Sequence, residues 1–504
     1  MSASSRSAWR RAGRLALALL AGAGSGFGGV AVAQSVLTYH GAADRQGHYI
    51  EPALTWAKAK GVHRAPAFKA RLLGAVYAQP LYWVPPAGGT GRIIVATEAN
   101  EVYALNADTG ATLWRTSLGR PVPRRELPCG NIDPVGVTGT PVIDPISGSV
   151  YLDALVGTAA GPRHKVFGLS LANGAIARGW PIDVAGGLKA RGENFDIAPQ
   201  GQRSALAIVN RHLFVPFAGL LGDCGNYHGW AVGFNLAAPG VSASWATRGQ
   251  AGGSWGQSGI AYDGTSMFLT TGNTFTDAAS PWGDGEAVIR LEPSLEHSDR
   301  VTDYFTPADW RRLDARDLDL GGTSAIPIDI PRTAGAPLPR ILALGKDGKA
   351  YLLDRARLGG IGGQLAAVNV STRAIITAMA AFPAAGAAMV AFTGEGAHCP
   401  NGRSGNLVML RVEGRAIATA WCASFDGRGA PIVTTTNGAA DPIVWVVGAE
   451  GDNRLHGFRG TDGQQLFVGD TGGAMSGLHH FETLLVAAHR FYVGADGTVY
   501  AFDF

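Results

Sequence analysis

One short β unit recurs along this chain, and that recurrence restricts its architecture more than any other feature. The clearest copy, residues 93–114, reads IIVATEANEVYALNADTGATLW. Two short alternating strands flank a turn, and the second runs into Asp108-Thr109-Gly110 before a third strand that ends in Trp114. Gly110 supplies turn angles that a side chain would resist. Related units follow at residues 149–180, 212–236, 267–296, 341–360, 389–421, 443–468 and 491–504, giving about eight at a spacing near the blade length of a β-propeller. The spacing is irregular, and seven blades remain compatible with it. A lone four-stranded sheet cannot bury both faces, so such units must stack and close into a ring. The expected fold is therefore all-β: a single propeller over residues 76–504 with four-stranded blades, preceded by an N-terminal extension at residues 34–75. The last unit supplies only two strands, and an early strand at Leu81–Trp83 is expected to complete the final blade, so that N- and C-terminal strands close the ring.

Radial repetition also accounts for the length, because 504 residues exceed what one hydrophobic core ordinarily supports. The 72 glycines, 27 prolines and only 16% charged residues fit turn-rich β structure rather than a helical bundle or disorder. Three connections are longer than a compact propeller requires: residues 121–134, 188–202 and 302–339. They are expected to line one end of the central channel and to carry any chemistry.

The first residues carry Arg6, Arg10, Arg11 and Arg14, then an apolar stretch from Leu15 to about Ala23, then the small-residue pattern Ala31-Val32-Ala33. This reads as a signal peptide over residues 1–33 and implies a periplasmic or secreted protein. The stretch is too short, and too diluted by Gly and Ser, for a membrane anchor, and no later transmembrane candidate follows. Four cysteines in an exported chain permit disulfides. Cys399 and Cys422 bracket one hairpin unit and are expected to pair first. Cys129 and Cys224 stay open between a second bridge and buried free thiols. No C-x-x-C-H string is present, so covalent haem is not expected. The net charge of +3 falls close to neutral without the leader's arginines, which leaves no basic patch for nucleic acid.

The unit VYALNADTGATLW, residues 102–114, resembles the repeat of pyrroloquinoline quinone (PQQ) enzyme propellers, the quinoprotein alcohol dehydrogenase-like superfamily. The likeness runs from VYAQPLYW at residues 76–83 to the terminal VYAFDF. Four local segments extend it, in the family's order. Ser254-Trp255-Gly256 is similar to the Trp-Gly segment whose indole floors the planar quinone, which implies Trp255 as a cofactor contact. Thr271-Gly272-Asn273 resembles the turn that gives a calcium ligand, here Asn273. Asp317-Leu318-Asp319, following Thr306-Pro307, looks like the acid-rich segment carrying the catalytic base; Asp317 is the implied base and Asp319 the second candidate. GKDGKAYLLDR, residues 345–355, resembles the segment whose basic residue contacts the quinone oxygens, here Lys346.

Such residue types suit the implied chemistry. Oxidising an alcohol through a quinone requires a carboxylate to take the hydroxyl proton and a cation to polarise the quinone carbonyl. A hard Ca²⁺ takes several oxygen ligands, which Asn273, Asp317 and an acid from another blade would provide. The sequence also departs from the family. One cysteine, Cys129, stands in the insert where the dehydrogenases carry two adjacent ones; their acidic calcium ligand from an earlier blade has no clean counterpart, Asp223 being nearest by position. No haem-binding segment is present, so electrons must leave to a separate acceptor.

Each residue has an alternative use. Trp255 serves blade packing, Asn273 favours a turn by its backbone geometry, Asp317 and Asp319 form a solvated loop pair, and Lys346-Asp347-Gly348 makes a good hairpin turn. Two functions therefore stand: an oxidoreductase using PQQ and Ca²⁺ on an alcohol or sugar hydroxyl, and a noncatalytic propeller that binds a protein or polysaccharide. No H-E-x-x-H helix supports zinc-dependent hydrolysis.

Overall fold

A computed structural model describes residues 34–275, 279–469 and 473–504 of the chain. The proposed signal peptide lies outside the described residues. Eight sheets, each built on a four-stranded antiparallel core and three of them carrying a fifth strand, form the blades of one β-propeller. Blade 1 holds Leu81–Trp83, Arg92–Ala96, Glu101–Asn106 and Thr112–Ser117 in that order. The remaining blades begin at Val142, Ala207, Ala261, Ile326, Ala380, Ile432 and Leu485. Only three short α-helices interrupt the strands of the described residues, at Trp56–Ala59, Val184–Lys189 and Trp310–Asp314.

The apolar faces of neighbouring blades pack against each other, so the core is a ring of interfaces rather than one centre. Leu81, Ile94 and Val102 of blade 1 share a cluster with Val150, Leu152 and Phe167 of blade 2, and comparable clusters join blades 2 to 3, 3 to 4, 4 to 5, 5 to 6 and 6 to 7. Trp445 packs on Phe491 across the seventh interface, at 4.6 Å between ring centroids, and the Tyr492 hydroxyl donates to the Ala107 carbonyl across the eighth. A recurring device reinforces these joints. The indole N–H of Trp114 donates to Leu171 O of the next blade, and that of Trp421 donates to Gly460 O. Gly174 and Gly463, both at positive φ, sit under those indoles; a Cβ at either would come within 2.6 Å of the ring. Glycine in that turn is thus demanded both by backbone angle and by the docking tryptophan.

Ring closure differs from expectation in its donor strand. Leu81–Trp83 is the first strand of blade 1 and pairs with Arg92–Ala96. His63–Arg64 completes blade 8 instead, antiparallel to Thr498–Asp503, while Leu485–Ala487 adds a strand not foreseen before the last unit. N- and C-terminal strands therefore do share the final blade. Residues 34–64 also do more than extend the chain. Val36 bridges Tyr82, Leu37 O accepts from Ile143 N, Ala43 O from Tyr262 N, and Gln46 O from Ala381 N. His48–Ile50 runs parallel to Ile432–Thr435 of blade 7, Gln46 Nε2 donates to Pro327 O, and His40 Nε2 contacts Thr483 Oγ1. The fully buried Arg45 donates to Ile260 O and Leu206 O. Between them, residues 36–50 touch all eight blades and plug the axis, with Tyr39 packed among Ala205, Ala378 and Ala430.

Two disulfides are present, Cys399–Cys422 and Cys129–Cys224, so the second pair is bridged and not free. No helix of the described residues is long and apolar enough to cross a membrane.

Candidate functional site

In each blade the loop leading to the first strand and the turn between the second and third strands emerge on the same face of the ring. On that face the structure brings Trp255, Asn273, Asp317, Asp319, Lys346 and Asp223 together around one cavity of about 230 Å³. They come from different blades: Asp223 from blade 3, Trp255 from the loop into blade 4, Asn273 from the turn of blade 4, Asp317 and Asp319 from the loop into blade 5, and Lys346 from the turn of blade 5.

Lys346 ties these segments together. Its Nζ lies 2.5 Å from Asp319 Oδ2 and 2.9 Å from Asp317 Oδ1, and 5.0 Å from the centroid of the Trp255 ring. The main chain repeats the link, with Lys346 N donating to Asp319 O. Asp319 is buried, and its other oxygen accepts the Asn273 N–H at 2.7 Å, which fixes the turn that presents Asn273. Asp317 is exposed to the cavity at 65% of its side chain and takes a φ of +52°. Burial raises the Asp319 carboxyl above its ordinary range while Lys346 draws it back; burial alone would lower the Lys346 ammonium, but the two aspartates hold it above its usual value. Glu286 lies beneath, accepting Leu320 N–H at 2.6 Å with one oxygen unpartnered, and burial together with the Asp319 charge keeps its carboxyl well above the usual range.

Glycine shapes the floor. A Cβ on Gly272 would lie 2.8 Å from Asp319 Oδ1 and 3.2 Å from Trp255 Nε1, and one on Gly322 would meet the far edge of the same indole at 3.2 Å. The indole and the carboxylate are thus set directly against backbone. Asn273 makes no side-chain hydrogen bond among the described residues, whereas Asp223 accepts from the Tyr227 hydroxyl at 2.6 Å.

Other cavity residues are Asn131 and, without any sequence signal, Arg203, Tyr227, His480 and Phe481. Asn131 lies in the insert at residues 121–134, which the Cys129–Cys224 bridge pins to the Asp223 loop. Arg203 has no hydrogen-bond partner among the described residues, and its guanidinium lies 6.0 Å from the Phe481 ring centroid. Of the three long inserts, residues 121–134 and 302–339 reach this cavity. Residues 188–202 do not: Phe195 packs under Phe217 and Trp230, and Asn194 to Ala198 line a separate surface depression. The string Gly252-Gly253-Ser254-Trp255-Gly256 has the spacing of a hydrolase nucleophile elbow. Ser254 is nevertheless buried, opens no helix, and has no histidine among its hydrogen-bond partners in the described residues.

Comparison with known proteins follows the same outline. The chain superimposes on the quinohemoprotein alcohol dehydrogenase ADHIIG from Pseudomonas putida HK5 with a TM-score of 0.65 at 14% identity, covering 93% of this chain and 80% of that one. The quinohemoprotein alcohol dehydrogenase from Comamonas testosteroni gives 0.64 at 15% identity, with the same coverages of 93% and 80%. A europium-containing methanol dehydrogenase gives 0.61 at 14% identity over 92% of this chain and 90% of its own. The chain has the PQQ-like propeller fold. A family model described as outer membrane protein assembly factor BamB matches residues 56–130, which span the first blade of this propeller. No curated protein sequence matches the chain.

Proposed function

We propose that this chain is an exported quinoprotein-type oxidoreductase that oxidises an alcohol or sugar hydroxyl. The observation that carries the reading is the convergence of Trp255, Asn273, Asp317, Asp319, Lys346 and Asp223 on one cavity from separate blades. The residues present suit PQQ and Ca²⁺. Gly272 and Gly322 leave a flat indole face beside a carboxylate, and the oxygen donors Asn273, Asp317 and Asp223 are hard, with the Asn273 amide uncommitted among the described residues. When bound, PQQ supplies the two-electron oxidant and Ca²⁺ polarises its carbonyl.

The chain's own groups do the rest. Trp255 floors the site, and Lys346 brings a positive charge over the indole to stabilise negative charge on the reduced ligand. Asp317, exposed to the cavity and steadied by Lys346, takes the hydroxyl proton. Asp319 is buried and doubly bound, so its part is to orient Lys346 and the Asn273 turn, with the base role second. Electrons leave to a separate acceptor.

Reconstitution of the purified protein with PQQ and Ca²⁺ tests this reading. Equilibrium binding at micromolar cofactor, with dye reduction over an alcohol and sugar panel, is the expected result; absence of binding removes the enzyme. The second reading, a noncatalytic propeller whose loop face binds a protein or polysaccharide, is favoured by the family match over residues 56–130 and would be left standing by that outcome.

A further inference from the structure

Beside the Trp255 cavity the same face opens into a second and larger one, of about 650 Å³. The two share Ile376 and His480, so they are adjoining lobes of one mouth: blades 3 to 5 line the first, and loops around blades 6 and 7 line the second. A volume of this size lies within the range of about 300–1,000 Å³ that holds drug-sized ligands, well beyond what a short alcohol fills.

The chemistry of the larger lobe selects among ligands. Its charges are already paired: Arg373 Nε lies 2.6 Å from Glu395, Arg428 lies 4.0 Å from Glu450, and His480 Nδ1 lies 2.5 Å from the same Glu450. Each cation that lines this lobe among the described residues thus has an acidic neighbour, which lowers its pull on an anionic ligand. Ile376 and Ala374 are the only apolar side chains among its lining residues, and the rest of its apolar surface belongs to backbone and to the aliphatic parts of polar side chains. Neutral or paired hydrogen-bonding groups make up most of its lining residues, including Asn406, Ser404 and Ser424, and the buried Thr377 hydroxyl has no partner among the described residues. Planar Arg, Glu and Asn groups of this kind match vicinal hydroxyls, which donate and accept in pairs.

We propose that this lobe binds the non-reacting sugar units of a neutral oligosaccharide, whose terminal hydroxyl reaches the Trp255 cavity. The assignment of the reacting end rests on the oxidoreductase reading above; the binding itself does not. Glu395, Arg373 and Arg428 at the rim hold the sugar hydroxyls, and Asn406 and Ser424 receive the inner unit.

The test is calorimetric titration of the cofactor-free protein with maltotriose, cellotriose and mannotriose, and with glucose and 1-hexanol for comparison. At least one trisaccharide should bind about tenfold or more tightly than glucose, with no binding of hexanol. Glu395→Gln and Arg428→Met, both at exposed positions that leave the fold intact, should each weaken that trisaccharide by about tenfold. Failure of all three trisaccharides to bind, or binding indifferent to both substitutions, overturns the proposal. PQQ binding measured on the same samples separates the two readings. Trisaccharide binding without PQQ binding removes the oxidation and keeps the lobe, and the converse removes the lobe alone.

Discussion

The ammonium of Lys346 lies 5.0 Å from the centre of the Trp255 indole while forming an ion pair of 2.5 Å with Asp319. A turn of blade 5 and the loops on either side of blade 4 are thereby locked to one another by a single side chain. Removing it should be felt in the fold as well as in the site.

Lys346→Met strands the buried Asp319 without its cation, and should cost about 3 kcal/mol of stability at neutral pH. Urea unfolding checks this. Lowering the pH protonates the stranded carboxylate and should narrow the gap to the wild type, and adding Asp319→Asn should recover part of the loss.

Asp317→Asn removes the assigned base while leaving the shape of the cavity. Turnover of protein reconstituted at saturating Ca²⁺ should fall by about 10²–10⁴-fold with PQQ affinity nearly unchanged. Retained activity would transfer the role to Asp319.

Glu98 is buried beside Gly136, and burial raises its carboxyl from an ordinary 4.5 to about 7. The folded state therefore keeps a proton that the unfolded chain has released. Its stabilising share is complete below pH 4.5 and is lost as the pH climbs through about 7. Glu98→Gln cannot lose that proton, so its stability relative to wild type should improve by about 3 kcal/mol between about pH 5 and about pH 8. Equal pH profiles for the two proteins would refute the assignment.

The Cys129–Cys224 bridge closes a sequence separation of 95 residues and Cys399–Cys422 one of 23. On chain entropy, losing the first should cost about 4–5 kcal/mol and the second about 3 kcal/mol. Serine replacement of each pair, read by thermal unfolding, gives the order. The first pair should also weaken ligand binding, because it fixes the Asn131 loop over the cavity.

The repeat was readable because each blade buries alternating apolar residues and turns at glycine, features that local sequence must encode. The four segments bearing Trp255, Asn273, Asp317 and Lys346 were marked by family resemblance beyond the repeat, and they line one cavity in the structure. The closing strand was not readable, since His63–Arg64 is two exposed polar residues whose contribution is backbone pairing alone. Leu81–Trp83, the strand expected to close the ring, is wholly buried in blade 1. Arg45 reads as a surface arginine until the fold surrounds it with carbonyl oxygens. Arg203 and His480 reach the cavity from loops whose sequence has no periodicity to mark them.

Arg45→Met should cost about 3 kcal/mol or more, because it leaves the carbonyls of Ile260 and Leu206 buried without a donor. Denaturant unfolding measures this directly.

A segment that touches every blade also dictates the order of assembly. During synthesis residues 36–50 emerge before any of the surfaces they bind, and their docking partner Thr483 is almost the last to appear. No partial ring has a finished hub, so the contacts of highest sequence separation must form late and together, which favours slow, all-or-none folding. Trimming the gene at a blade boundary should therefore yield insoluble product and not a smaller propeller.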